Sequence, residues 1–353
     1  MTEPRFLLLL FVPISLALRF LFDAAPLLVF AAGAAAVAVL ADWVRRATEQ
    51  LAERAGSTVG GLLNVSFGSI AELVLALFVL ASGQIAVVQA QITGSIIGTS
   101  LLGLGLAMFV GGLGRERQKF NRASIGLLST LLFLVVVALL LPAVFDRTLR
   151  AAAIPDLGIS DEHLSLAASV VLLLIYTANL VHTLVTHRDV FAAEEPHGAP
   201  AWSLRRSLAV LIGGTVVIAL EAELVSDALA EAAATLGLAP VFLGVIVLAL
   251  VGTSADLFAA IAFARQDRMT IVFSICVGSA IQVALVVAPL LVLISWALGH
   301  PMNLVLGSPL DLFAIACTAF IVRAIAADGA TTWFEGLLLV GVYVLFGIAF
   351  YFA

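Results

Sequence analysis

Two carboxylates stand inside long apolar runs, each within a similar short motif. Glu72 lies in Gly68-Ser69-Ile70-Ala71-Glu72-Leu73, and Asp256 lies in Gly252-Thr253-Ser254-Ala255-Asp256-Leu257. An ionisable group in such surroundings is expensive and by default marks an ion or proton pathway. In both motifs a hydroxyl, Ser69 or Thr253, precedes the carboxylate by three residues, which puts the two side chains on one helical face. Gly68 and Gly252 sit one turn earlier, where a helix can bend and free main-chain carbonyls. Carboxylate, hydroxyl and carbonyl are hard oxygen donors, suited to Ca2+ or Na+ and poorly suited to zinc or copper. Two carboxylates sharing a site repel one another unless a cation or protons neutralise them. Cation and protons would therefore compete, which is the core of an exchange mechanism.

The elements that must carry these residues are legible from composition. Of 353 residues, 63% are hydrophobic and only 11% charged, against roughly a quarter charged in a water-soluble domain. The apolar runs are continuous and do not alternate, so they read as helices long enough to cross a bilayer core of about 30 Å. Eleven spans are expected, with limits near 5–22, 24–42, 57–81, 85–113, 121–145, 163–186, 204–232, 238–264, 269–297, 307–326 and 331–352. The segment from Ala41 to Arg54 is expected to be amphipathic and cytoplasmic, with Arg45, Arg46, Glu49 and Glu53 forming a solvated face. Cys276 and Cys317 fall inside apolar runs and offer neither a disulfide framework nor a zinc spacing. The first run, starting at Phe6, is expected to be a retained helix and not a cleaved signal.

If the spans alternate, nearly all basic residues fall on one side, and only Arg147, Arg150 and Arg19 fall on the other. The positive-inside rule then puts the N-terminus inside and the C-terminus outside. The two motifs are 184 positions apart, and Gly94-Ser95 returns as Gly278-Ser279 at the same offset. This constancy argues for a duplication. Each copy holds five spans, an odd number, so the copies must be inverted, as in secondary transporters with sites near the membrane midplane. The expected organisation is an extra N-terminal transmembrane helix at 1–22, a first repeat at 23–186 with its signature at 60–101, and a cytoplasmic linker at 187–203. A second repeat follows at 204–353, with its signature at 248–285.

Around the carboxylates stand further polar candidates for ligands, for a proton pathway or for interhelical hydrogen bonds: Asn64, Gln91, Ser95, Thr99, Ser100, Ser279 and Gln282. Glu223, Asp227 and Glu231 follow a spacing of four and share one face of their helix, and Glu221 precedes them. Asp311 stands alone near the outer end of its span.

Further segments carry a family resemblance through nearly the whole chain. They are Ala47-Thr48-Glu49 leading into Gly60-Gly61-Leu62-Leu63-Asn64, then Phe120-Asn121-Arg122 with Leu140-Leu141-Pro142, and Tyr176 with Thr186-His187. Farther on come Gly278-Ser279 with Gln282 and Pro289, and finally Asp328-Gly329, Trp333, Glu335-Gly336 and Val342-Tyr343. With these the sequence resembles a Ca2+/H+ antiporter of the cation/proton exchanger branch of the Ca2+:cation antiporter superfamily. The resemblance implies ten core helices as two inverted repeats plus one N-terminal helix. It implies that Glu72 and Asp256 bind Ca2+ and alternately take protons, and that Glu223 is an acidic residue of a gating helix. The family pattern in both signatures is Gly-Asn-Ala-x-Glu. Here Ser69 and Thr253 replace the asparagines, Asp256 replaces the second glutamate, and Thr99 stands where the first repeat has a downstream asparagine. Gly252-Thr253-Ser254 resembles the Gly-Thr-Ser of the Na+/Ca2+ exchanger branch.

The expected function is therefore exchange of Ca2+ for H+, not enzymatic catalysis. The expected partners are a lipid bilayer, Ca2+ or another cation, and protons, with no cofactor and no nucleic acid. A bacterial cytoplasmic membrane is the expected location. The same fold could instead exchange Na+ or K+ for H+, or Na+ for Ca2+. A channel would move ions without moving protons. An intramembrane hydrolase using the two carboxylates as an acid/base pair is disfavoured, because no nucleophile and base accompany them.

Overall fold

The computed structural model describes residues 5–151, 157–182, 201–299, 301–304 and 308–353, apart from the side chains of 5–6, 56–62, 64–66, 149–151 and 157–161. The Asn64 side chain and most of the expected linker thus lie outside the described residues. The protein is an all-α polytopic membrane protein. Its helices are α1 (Phe11–Phe20), α2 (Pro26–Phe67), α3 (Ile70–Ala81), α4 (Ile85–Gly112), α5 (Arg122–Ala151) and α6 (Leu157–Val181). They continue as α7 (Leu204–Leu236), α8 (Pro240–Arg265), α9 (Met269–Ala297), α10 (Pro309–Ala326) and α11 (Trp333–Phe352). Among the described residues nine helices are long and apolar enough to cross a membrane, while α1 and α3 are shorter apolar helices.

The count agrees with expectation; the partition near the N-terminus does not. Spans two and three were expected to be separated by a polar connection, yet α2 runs without interruption for 42 residues. Nothing in Trp43 to Ala55 can stop a helix: there is no Gly or Pro, and most residues are good helix formers. Nor is Ala41 to Arg54 simply a solvated face. Arg45 and Asp42 are 12% and 17% exposed and pair with each other, Arg46 pairs with Asp42, and Arg45 also pairs with Glu49. These i,i+3 and i,i+4 pairs let the charges travel on a packed helix. The interruption comes instead at Gly68-Ser69, two turn residues between α2 and α3.

The chain forms two compact units, residues 1–91 with 194–255 and residues 92–193 with 256–353. Each takes part of both expected repeats. In the first unit α2 packs along α7, and α1 and α3 pack beside them. Its core holds Val37, Leu40, Val44, Leu211 and Ile218, and also Ala71 and Ala255, the immediate neighbours of the two carboxylates in sequence. The residue that follows the polar segment, Trp202, is bound to the middle of α2. Its ring stacks on Trp43 at 5.7 Å, its N–H donates to Gln50 Oε1 at 2.9 Å, and its carbonyl accepts from Arg54.

In the second unit α4 packs on α9, α10 and α11, and α5 packs on α6, α9 and α10. The contact of α4 with α11 is main chain on main chain. A Cβ on Gly105 would lie 2.9 Å from the Gly336 carbonyl oxygen, and one on Gly336 would lie 2.5 Å from the Phe109 nitrogen. Only glycine permits that approach. A two-residue antiparallel pairing, Gln118-Lys119 with Ala330-Thr331, ties the loops before α5 and α11. Leu134, Leu141 and Leu174 are 60%, 60% and 63% exposed, as lipid-facing positions require.

Candidate functional site

In the first unit the break at Gly68-Ser69 puts Glu72 in the first turn of a new helix. Ser69 caps α3 with non-helical φ −104° and ψ 23° and makes no capping hydrogen bond through its side chain. A helix N-terminus presents free N–H groups and a partial positive charge, which suits an anionic side chain in its first turn. The end of α2 in turn leaves its last carbonyls without helical partners. Glu72 is 2% exposed and Ser69 8%. Gln91, 1% exposed, donates from Nε2 to the Glu72 carbonyl oxygen at 3.5 Å, and its own Oε1 has no hydrogen-bond partner among the described residues.

The second signature meets the first within this unit. A Cβ on Gly252 would lie 3.2 Å from Glu72 Cβ and 3.3 Å from its Cα. Unlike Gly68, Gly252 does not interrupt its helix: α8 continues through it. Its glycine is required by the close approach of Glu72. The neighbouring hydroxyls are engaged with main chain. Thr253 Oγ1 donates to the Ala249 carbonyl at 2.8 Å, and Ser254 Oγ donates to Val251 at 2.8 Å. Such back-bonding uses the proton and leaves the oxygen lone pairs available to a ligand. Upstream, Gly244–Leu248 forms a π-helical segment within α8.

Asp256 belongs to the second unit and is half-buried. In that unit α4 and α9 each contain a π-helical segment, Gly98–Gly103 and Val283–Val287. The segments fall at matching places of the two copies, one turn or so beyond Ser95 and Ser279. Short π segments inside helices free a carbonyl and are frequent at functional sites. Ser95 and Ser279 are 0% and 7% exposed, and neither hydroxyl has a hydrogen-bond partner among the described residues; Ser100 is in the same condition. Buried polar groups normally find partners, so these hydroxyls mark a polar environment. Thr99, by contrast, donates to the Ser95 carbonyl at 2.8 Å. Gln282 is half-buried at the start of the second π segment. Buried Cys276 is a packing residue, 3.5 Å from where a Cβ on Gly103 would stand.

On α7 the acidic residues divide. Glu223, Asp227 and Glu231 are exposed along one face, as their spacing predicts, whereas Glu221 is wholly buried. Asp311, expected to stand alone, is a helix cap: it accepts from the Ser308 N–H at 3.0 Å in a capping box and is hydrogen-bonded to Thr93. No group of three or more His, Cys, Asp or Glu able to hold a metal occurs among the described residues. Any cation held by Glu72 would draw most of its ligands from hydroxyls and carbonyls.

Residues 25–185 and 206–352 match the family model described as sodium/calcium exchanger protein. The chain is 36% identical over 368 residues to the Ca2+/H+ antiporter of Aphanothece halophytica, covering 98% of this chain and 95% of that one. It is 38% identical over 331 residues to the Ca2+/H+ antiporter ChaA of Bacillus subtilis, covering 91% of each. Among solved structures it is similar to the selenium-substituted Ca2+/H+ antiporter protein YfkE, with TM-score 0.84, 33% identity and 99% of each chain covered.

Proposed function

The chain belongs to the sodium/calcium exchanger protein family, and on that premise we propose that it is a secondary active antiporter exchanging Ca2+ for H+ by alternating access. Cation and protons compete for Glu72 and Asp256. The reading is supported by relatives named Ca2+/H+ antiporter that match over nearly the full length. The observation that carries it is the seating of Gly252 against the Cα, Cβ and Cγ of Glu72, which brings the second signature beside the acidic residue of the first.

Each residue then has a task. Glu72, at the N-terminus of a half-helix, supplies charge to the cation and takes a proton when the cation leaves. Ser69 and the freed carbonyls at the end of α2 supply neutral oxygens. Thr253 contributes lone pairs while its proton stays on Ala249. Asp256 supplies the second charge. Ser95, Ser279, Gln282 and Thr99 line the polar route, Glu223 serves the gating helix, and Asn64 belongs to the first signature. No resident cofactor takes part; Ca2+ is the cargo. The two copies, 23–186 and 204–353, have opposite orientation about a cytoplasmic linker, with the N-terminus inside and the C-terminus outside a bacterial cytoplasmic membrane.

The test is proton flux from proteoliposomes carrying a pH gradient, with Ca2+, Mn2+, Na+ or K+ added in turn. Proton release triggered by Ca2+ and absent in Glu72→Gln is expected. Release with Na+ or K+ alone would transfer the same mechanism to a monovalent cargo, with Ser69, Thr253 and Asp256 as the substitutions responsible.

A further inference from the structure

One buried carboxyl has no part in the exchange site. Glu221 on α7 is 0% exposed, and its Oε1 accepts a hydrogen bond at 2.7 Å from Ser15 Oγ on α1. The same hydroxyl lies 2.7 Å from the Val12 carbonyl, so its single proton is shared between two acceptors. Glu221 Oε2 is buried and has no hydrogen-bond partner among the described residues. Space for it comes from α2: a Cβ on Gly33 would stand 3.5 Å from Oε2 and 2.9 Å from Val225 Cγ2. Three helices of the first unit thus close around one carboxyl with a single hydroxyl as its partner.

Among the described residues no cation neutralises it. The described ion pairs of this unit all lie at Asp42, Arg45, Arg46 and Glu49. On α1 the only charged residue is Arg19, which is exposed, and Asp23 follows in the loop. The first charge on α2 is Asp42, nine residues beyond Gly33. The charged residue of α3 is Glu72, itself acidic, and α8 carries none before Asp256. On α7 the neighbouring charges, Glu223, Asp227 and Glu231, are acidic and exposed. An ionised carboxylate buried with one shared hydrogen bond and no counter-ion is strongly disfavoured.

We propose that Glu221 is a proton-binding site of its own, docked against the N-terminal helix through Ser15 and separate from the carboxylates that meet the cation. The proton resides on the carboxyl while α1 and α2 cover α7. It leaves to water only when that packing opens, and the resulting anion holds α1 away until a proton returns. Proton occupancy and the position of α1 are thereby linked.

Two measurements on the full-length protein in lipid nanodiscs test this. Infrared spectra at neutral pH should contain a carboxylic acid carbonyl band that is lost in Glu221→Gln. Spin labels at Ile14→Cys and Leu220→Cys, both surface positions, in a background with Cys276 and Cys317 replaced by alanine, should move apart as pH rises. In Glu221→Gln, a neutral isostere, that separation should stay short at every pH. In Ser15→Ala it should be longer already at low pH. A band unaffected by Glu221→Gln, or a separation that responds to pH equally in Glu221→Gln and the parent, would overturn the proposal. Neither readout depends on which cation is transported.

Discussion

The two signatures share a pattern but not a backbone. At Gly68-Ser69 the chain leaves the helix and restarts, so Glu72 occupies a helix N-terminus. At Gly252-Thr253, 184 positions later, α8 runs straight through, and the glycine instead admits Glu72 against its Cα. The serine after the first glycine spends its hydroxyl on no helix cap, while the threonine after the second is bonded to Ala249. The lesson is that a duplicated motif can divide labour. One copy supplies the freed main chain and the other supplies the surface that confines it.

The most severe way to probe this division is to remove charge from each copy. Glu72→Gln and Asp256→Asn should each abolish exchange to background in the proteoliposome assay, and the double variant should be no worse. Normal turnover in Asp256→Asn would detach the second copy from the site. Next in size is Gly252→Ala. Its methyl would meet Glu72 at 3.2 Å, and displacing a ligand by a few tenths of an ångström should weaken apparent cation affinity about tenfold. Gly68→Ala should act through the break instead. Alanine favours continuous helix by up to about 1 kcal/mol, enough to slow turnover about fivefold with little change in affinity. If Gly68→Ala changed affinity and Gly252→Ala changed turnover, the assignment of roles would be reversed. The smallest effects are expected at Ser95→Ala and Ser279→Ala. Loss of one neutral ligand or water contact at either should change apparent affinity by about three- to tenfold in titrations of the purified protein.

Much of this was legible before any coordinates. Charged residues in apolar runs are conspicuous because lipid tolerates so few of them, and a constant offset exposes a duplication without any structural knowledge. The helix count followed from apolar length. What could not be read were features decided by neighbours. Gly68 and Gly252 are identical residues in similar sequence, and only the proximity of Glu72 tells a close-packing glycine from a breaking one. The charges at Arg45, Arg46 and Glu49 suggested an end to the membrane helix, yet their spacing from one another and from Asp42 lets them be neutralised along it. Glu221 and Glu223 are two residues apart, and which of them is buried depends on where α1 and α2 lie. The π-helical segments, too, carry no residue signature of their own.

The anchoring of Trp202 has a consequence for the covalent chain. Stacked on Trp43 and hydrogen-bonded to Gln50, with Arg54 on its carbonyl, it holds the start of the second half to the middle of α2. The peptide link before it is thus not what keeps these pieces together. A gene split between residues 187 and 200 should yield two polypeptides that find each other in the membrane and co-purify, with the clasp at Trp202 taking over the work of the missing bond.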